Sequence, residues 1–571
     1  MEKRWVYKSV PEQEDVSKLS EQINVNAVLS GLLVQRNIQN FDEAKLFFRP
    51  ELAHLHDPYL MLNMATAVER LELALEREEK ILVYGDYDVD GTTAVALFYG
   101  FLRQYHPKVN FYIPDRYKEG YGISEEGIRH AFDNGYSLVV TLDCGIKAVS
   151  KVNRAASKGL DFIICDHHRP GDDLPQANAI LDPKQENCPY PYKELTGCGV
   201  GFKLLQAFCI KRAIDPALLY SYLDLIAVSI ASDIVPVDGE NRILAYYGLK
   251  MLNDKPSNGM EALKEVAGLK NDVTISAIVF GIGPRINAAG RVAHANTAVN
   301  LLLSQSKEEA IDYARNVESK NVMRRDFDNN ITQEALELIA LGENDNRAPS
   351  TTVLYKEDWH KGVIGIVASR CIEKYYRPTI ILTESNNKAT GSARSVDGFD
   401  VYDAISQCAE YLDQFGGHSY AAGLTMDIDK IEPFKEKFEA VVASTITQEQ
   451  LIPQLEIDLS IDFDVITEKF YSILQQMGPF GPGNQKPVFV TERVYAANYP
   501  APRLLKNAHV KMSVKQENNA STMQAIGFGM APYYEMISSG MRFHMAYTVE
   551  ENNYMGNRYL QLNIKDIKFD V

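Results

Sequence analysis

Short apolar runs that each end in acidic groups constrain this chain more than any other feature. ILVYGDYDVDG at 81–91 passes from a β-rich segment straight into Asp86, Asp88 and Asp90. SLVVTLDCG ends at Asp143, and DFIICDHH ends at Asp166, His167 and His168. Helical spacing separates these runs, in TTAVALFYGFLRQY after the first and AVSKVNRAAS between the second and third. Strand, helix, strand with continuous apolar strands is the pattern of a parallel α/β sheet covered on both faces. Strand ends of one sense then share one edge of the sheet, where such sheets bind their ligands. Groups far apart in sequence are therefore expected to converge.

Three carboxylates at every second position of DYDVD repel one another, and none is buried cheaply. A cation is expected among them. Asp233, after the apolar run in DLIAVSIASDIVPV, adds a further carboxylate. Carboxylates take hard divalent cations such as Mg2+ and Mn2+, and an imidazole tilts the choice toward Mn2+. One ion rarely needs this many ligands. Two ions ~3.5–4 Å apart, sharing one carboxylate, would use them all and would suit a phosphoryl centre. Each feature alone has a plainer explanation. DxDxDG is similar to a calcium loop, although the EF-hand spacing and terminal Glu are missing. A lone Asp at a strand end commonly caps the next helix, and paired histidines occur on surfaces by chance. The coincidence of all four motifs is what points to a metal centre.

At 571 residues the chain is too long for one ordinary core. The pattern divides it into a helical, polar N-terminal segment (1–68), an α/β domain (69–305) and a long connecting helix (306–344) that allows one break. A smaller α/β domain (345–448) and a β domain (453–571) follow. In the last, KPVFVTERVYA, HVKMSVKQ, TMQAIGFGM, FHMAYTVEE and YLQLNIKDIKF are strand-like runs between turn residues, as in an antiparallel barrel. The seven cysteines are scattered without a CxxC pair, which argues against a disulfide framework or structural zinc and fits a reducing cytoplasm. The N-terminus lacks the apolar run of a signal peptide, and no run of ~18 apolar residues predicts a membrane span. A net charge of −17 opposes a surface coated in basic groups for nucleic acid, yet leaves room for a local basic groove.

GDYDVDG, LDCG, DHH and the later ASD resemble the four acidic motifs of the DHH phosphoesterase superfamily. GPRINAAGRV (283–292), DWHKGVIGIVASR (358–370) and GGHSYAAG (416–423) narrow the resemblance to the RecJ family of single-stranded-DNA-specific exonucleases. The match covers nearly the whole chain from about residue 70. The resemblance implies an α/β architecture: a parallel-sheet DHH domain, a connecting helix, a smaller α/β DHHA1 domain and a C-terminal antiparallel, OB-like β-barrel. It implies metal-dependent 5′→3′ degradation of single-stranded DNA to mononucleotides, in DNA repair and recombination.

By the same resemblance, Asp90, Asp143, His167 and Asp233 hold one Mn2+ or Mg2+ ion. Asp88, the shared Asp143 and Asp86 hold a second. Pyrophosphatases of the superfamily carry a His two residues before the Asp86 position, where this chain has Tyr84, so the second ion has a different ligand set here. His168 is expected to contact the scissile phosphate or supply a proton, which makes Asp143, His167 and His168 the catalytic candidates; Asp166 would orient its neighbours.

Arg285, Asn287 and Arg291 lie in a stretch rich in Gly and Ala, where guanidinium groups suit phosphate oxygens and small residues allow close approach. An ion-paired helix end is the plainer alternative. His360 and His418 are candidates to line the groove, against an alternative as core histidines. Ser392 and Arg394 of GSARS, with Arg116 of IPDRYKEGYG, resemble a pocket for the terminal 5′-phosphate. An end-binding site at a fixed distance from the metals would set polarity. Phe480 in MGPFGPGNQKP offers an aromatic platform or simply a turn, and Tyr402, Tyr411 and Tyr420 are further stacking candidates. Single-stranded DNA is the implied substrate, with a single-strand-binding protein and a RecQ-type helicase as implied partners of a cytoplasmic monomer. The rival functions are a DHH phosphodiesterase for short oligonucleotides or cyclic dinucleotides, and a catalytically silent DNA-binding scaffold.

Overall fold

A computed structural model describes residues 2–292, 295–342, 349–554 and 557–569. The chain forms two compact units, one of Arg49–Arg325 with Gly478–Gln485, the other of Met1–Phe48, Asp326–Met477 and Lys486–Val571.

The chain starts with strand β1 (Arg4–Tyr7), which belongs to the second unit. The first unit is built on β2 (Ile81–Gly85), β3 (Val109–Tyr112), β4 (Leu138–Leu142), β5 (Asp161–Cys165) and β6 (Ala179–Leu181). They form a parallel sheet in the order β3-β2-β4-β5-β6. Successive side chains point to opposite faces. Ile81, Val83, Leu138, Val140 and Ile163 enter one core, with residues of helices Val89–Leu102, Gly197–Arg212 and Leu223–Ser232. Leu82, Tyr84, Val139, Phe162 and Ile164 enter another on the opposite face. Both faces are buried, which is why these strands read as continuous apolar runs. Each such side chain contributes ~1.5–3 kcal/mol on full burial.

The second unit holds two larger sheets. Strands β7 (Thr352–Tyr355), β8 (Thr379–Ser385), β9 (Lys388–Arg394), β10 (Gln414–His418) and β11 (Ala421–Met426) lie in the order β10-β11-β9-β8-β7. Only β7 and β8 pair in parallel. After β12 (Gln454–Ile457) come β13 (Leu459–Ser460), β14 (Phe489–Ala496), β15 (Arg503–Leu505), β16 (His509–Gln516), β17 (Thr522–Gly527), β18 (Phe543–Tyr554) and β19 (Asn557–Phe569). Their order is β13-β14-β18-β19-β17-β16-β15, and β14 also pairs with β16. That extra pairing closes β14, β16, β17, β19 and β18 into a ring, an OB-like barrel. Most pairs are antiparallel; β13–β14 and β17–β19 are parallel.

The N-terminal segment departs from a purely helical, polar reading. β1 pairs in parallel with β12, Arg4 opposite Gln454. The four residues RWVY are too few to display a period, and their partner lies 450 residues away in sequence. Helix Ala27–Val34 buries Leu29, Leu32 and Leu33. The connecting helix, Lys307–Gly342, runs for 36 residues without a break. Phe480 directly precedes a turn that Gly481 and Asn484 close. Among the described residues no helix is long and apolar enough to cross a membrane.

Candidate metal centre and substrate-binding groups

The carboxyl ends of the parallel strands bring the acidic motifs together. Asp86 follows β2 directly and is fully buried; its Oδ1 accepts the Gly122 N–H at 3.2 Å. Asp88 caps helix Val89–Leu102, accepting the Gly91 N–H at 3.0 Å. Asp90 lies in the first turn of that helix. Its oxygens accept the N–H groups of Gly197 (2.7 Å) and Cys198 (3.0 Å) and the Ser229 hydroxyl (2.7 Å). Those two amides open helix Gly197–Arg212, whose positive end favours an anion. Asp143 follows β4 at φ 61°, a left-handed conformation that Asp tolerates better than most residues. Asp233 ends helix Leu223–Ser232.

His167 stands at the centre of this set. Its Nε2 is 3.2 Å from Asp143 Oδ1, 3.6 Å from Asp233 Oδ2 and 3.8 Å from Asp90 Oδ2. Asp90, His167 and Asp233 offer ligand atoms within 4.8 Å of one another, and so do Asp143, His167 and His168.

The electrostatics are those of a cation site. Burial, then the Asp88 charge, raises the Asp86 carboxyl well above the ordinary range. Burial and neighbouring carboxylates do the same to Asp143 and Asp233, and raise Asp88. Among the described residues no Lys or Arg forms an ion pair with these groups. Burial lowers His167, which keeps its imidazole neutral and a lone pair available. Both His167 ring nitrogens and Asp86 Oδ2 are buried without a hydrogen bond. Buried polar atoms without partners and clustered carboxylates that no Lys or Arg pairs directly fit one or two hard divalent cations on donor chemistry alone.

Asp166 is turned to a different task. Its Oδ1 accepts the N–H groups of His167 (2.8 Å) and His168 (3.2 Å) and lies 2.7 Å from His168 Nδ1; Oδ2 accepts the Ile146 N–H at 2.9 Å. Burial would raise this carboxyl, but the His168 hydrogen bond and charge hold it down at about 2. In return, His168 is raised to about 9 against the effect of burial.

Tyr121 escaped the sequence reading. Its hydroxyl donates to the Asp143 carbonyl (3.1 Å) and lies 3.1 Å from His168 Nε2. A phenol has one proton. With that proton on Asp143, His168 Nε2 must be the donor, which makes the ring an imidazolium. Tyr121 stands in the GYG of the same loop as Arg116, so its position was visible, though its partner was not. Asp182, at the end of β6, also went unread. It is fully buried with Oδ2 unpartnered, and burial is the main cause that lifts its carboxyl to about 7. LDPK repeats the strand-end signal of the other motifs.

The Arg116 guanidinium carbon lies 4.8 Å from the Tyr87 ring centroid, a cation–π contact beside the acidic loop. Helix Gly283–Val292 packs close to that loop: a Cβ on Gly290 would meet the Tyr87 carbonyl oxygen at 2.6 Å. Asn287 and Arg291 on this helix are half-buried, and the Arg291 carbonyl accepts the Tyr117 hydroxyl. Arg285 differs from expectation. It is 7% exposed, its Nε is 2.6 Å from Glu318 Oε2, and its Nη atoms donate to the carbonyls of Gly281 (2.6 Å) and Val266 (3.3 Å). Each of its three nitrogens contacts a protein oxygen, the plainer of the two roles open to it.

In the second unit, Arg394 Nη1 donates to Ser392 Oγ at 3.0 Å on β9. A Cβ on Gly365 would lie 2.8 Å from Arg394 Nη2 and 2.9 Å from Ser392 Oγ, so Gly365 leaves open a cradle at the start of helix Ile364–Lys374. His360 stacks on Phe327 (centroids 4.8 Å, 14°), and its Nδ1 accepts the Gly362 N–H. His418 is exposed at the end of edge strand β10. Tyr402 tilts against Phe415, Tyr411 is half-buried and Tyr420 is exposed.

Residues 80–230 match the DHH family, N-terminal domain, residues 349–444 the DHHA1 domain and residues 457–566 the RecJ OB domain. Fold and site together therefore define a DHH-superfamily protein with DHHA1 and OB domains. The chain is 36% identical over 559 residues to the single-stranded-DNA-specific exonuclease RecJ of Bacillus subtilis, covering 97% of this chain and 70% of that one. With the protein of the same name from Escherichia coli it shares 32% over 519 residues, 88% of this chain and 89% of the relative. The crystal structure of RecJ in complex with Mn2+ from Thermus thermophilus aligns with a TM-score of 0.83 at 25% identity, covering 99% of this chain and 79% of that one. The chain belongs to the RecJ family.

Proposed function

We propose that this protein is a metal-dependent 5′→3′ exonuclease that hydrolyses single-stranded DNA to mononucleotides, in DNA repair and recombination. The observation that carries this is the convergence of the Asp90, Asp143 and Asp233 carboxylates on His167, in a chain of the RecJ family. Asp90, Asp143, His167 and Asp233 would hold one Mn2+ or Mg2+ ion; Asp86 and Asp88, with Asp143, would hold the other. When bound, the two ions make water a nucleophile at neutral pH and offset charge on the phosphoryl oxygens.

The remaining steps fall to the chain. His168 brings its positive charge beside the scissile phosphate, and Asp166 fixes the ring and its charge through Nδ1. Tyr121 holds that ring from the other side. Arg116, Asn287 and Arg291 meet the DNA backbone near the carboxylates. Ser392 and Arg394, with the open cradle at Gly365, receive the terminal 5′-phosphate, and His360 and His418 line the path of the strand. The division of labour places chemistry in 69–305, end binding in 345–448 and strand tracking in 453–571. The protein acts as a cytoplasmic monomer, with a single-strand-binding protein and a RecQ-type helicase as partners.

The test uses single-stranded DNA labelled at either end, with Mn2+ or EDTA, for wild type and Asp143→Ala. The 5′ label should leave at once as a mononucleotide while the 3′-labelled strand shortens progressively, and EDTA or the substitution should stop both. Cleavage of di- or trinucleotides with long DNA untouched would instead make this a small-substrate phosphodiesterase.

A further inference from the structure

We infer that Ile234 is a specificity-determining residue whose side chain packs against the nucleobase beside the scissile phosphate. The inference rests on the proposed cleavage of single-stranded DNA at the carboxylate cluster. Ile234 has φ 60°, the left-handed region that a β-branched residue almost never occupies. It follows the last residue of helix Leu223–Ser232 by two positions, where a helix end commonly demands a left-handed residue and glycine normally supplies it. The conformation therefore belongs to the helix end; the isoleucine is the anomaly.

The neighbours hold the strain in place. Asp233 N–H donates to the Ser229 carbonyl at 2.9 Å, and Val237 N–H to the Pro482 carbonyl at 2.7 Å. The Pro236 carbonyl accepts from Asn241 Nδ2 at 3.0 Å. Burial does not repay it. Ile234 is 65% exposed, whereas Val235 and Val237 are buried. An apolar contact back onto its own helix accompanies some left-handed caps, but so exposed a side chain leaves most of its surface for something else. Strain kept at one position is a pointer to function when the surroundings over-determine it.

Position says what the partner is. Asp233, one residue away, has Oδ2 3.6 Å from His167 Nε2, so Ile234 stands at the rim of the carboxylate cluster. A phosphate there is gripped by polar groups. The only broad apolar surface a DNA strand brings to that rim is the face of a base, and apolar side chains pack on base faces in single strands without reading sequence. A paired base would keep its face covered by the stack, so the contact also favours a single strand.

The experiment uses the full chain loaded with Mn2+ and 5′-phosphorylated oligothymidylates, intact or abasic at either of the first two nucleotides. Wild type should lose about tenfold in kcat/KM at one abasic position, from the loss of one base contact. Ile234→Gly should lose about tenfold on intact DNA and little more on abasic DNA, while melting no lower than wild type because its backbone strain is relieved. Ile234→Val should keep the wild-type discrimination. If wild type ignores the missing base, or if Ile234→Gly discriminates as wild type does, the inference is overturned. A lower melting point in Ile234→Gly with discrimination intact would make Ile234 a helix cap and overturn it as well. If wild type degrades no single-stranded DNA but cleaves dinucleotides, the proposed function fails instead.

Discussion

His168 Nδ1 lies 2.7 Å from Asp166 Oδ1, and the same carboxylate gathers the backbone N–H groups of Ile146, His167 and His168. A carboxylate this well satisfied stays ionised and cannot readily turn toward a metal. Its effect is to anchor one imidazole and keep it charged. Asp166→Asn should lower kcat by roughly 10–100-fold, the usual scale for a residue that orients a functional neighbour. The sign of the pH effect follows. Wild-type His168 is raised to about 9, so the imidazolium persists until pH climbs past that value. Without Asp166 the hydrogen bond and the charge that do most to raise it are gone, so the alkaline limb of kcat should move to lower pH. A pH–rate profile with an unmoved limb would separate His168 from the observed titration.

Tyr121 braces the same ring through Nε2. Tyr121→Phe removes one hydroxyl and keeps the ring packed edge-on to His168 and Tyr87. We expect kcat to fall by about tenfold with KM nearly unchanged, the loss of one hydrogen bond to a charged group being worth roughly 1.5–3 kcal/mol at most. A rise in KM alone would place Tyr121 at the substrate instead.

The metal-free protein should become less stable as pH rises above the ordinary carboxylate range. Asp86, Asp88, Asp143 and Asp233 have raised folded-state pKa values, so the native chain holds protons that the unfolded chain has released. Stability falls with pH wherever the native state binds more protons. Divalent cations compete with those protons, so Mn2+ should raise the melting temperature more at pH 8 than at pH 5.5. Asp143→Asn should melt higher than wild type in EDTA while losing at least about 100-fold in activity. Calorimetry on both proteins, with and without Mn2+, reads each sign directly.

Arg285 and Arg394 should part company under substitution. Arg285→Ala breaks the Glu318 ion pair and two bonds to carbonyls, which should cost about 1–3 kcal/mol of stability and spare KM. Arg394→Ala should leave stability within about 1 kcal/mol and abolish the preference for a 5′-phosphate over a 5′-hydroxyl. Melting curves and kinetics on the two substrates distinguish them.

What could be read from sequence follows the range of the signal. Asp86, Asp88, Asp90, Asp143, His167 and Asp233 announce themselves because each ends an apolar run or a buried helix, and a parallel sheet leaves no choice about which edge those ends share. Arg285 was misread because a guanidinium among small residues looks the same whether it faces phosphate or Glu318, which lies on another helix. Tyr121 and Ile234 were missed for a related reason. One takes its meaning from a histidine 47 residues away, the other from a backbone angle that composition does not encode. β1 was hidden because its partner β12 lies 450 residues further along the chain.

That pairing has a consequence for synthesis. Arg4 must wait for Gln454, and the turn that receives the Val237 N–H waits for Pro482. At roughly 5–20 residues per second, the ribosome takes on the order of tens of seconds to deliver those partners. Through that interval the first strand has an open edge, and the segment after Asp233 lacks the anchor that holds it. The nuclease centre is therefore finished late, when nearly the whole polypeptide has left the ribosome. A chain broken off before residue 450 lacks both of these closures, so such a truncated product leaves the ribosome with its centre unfinished.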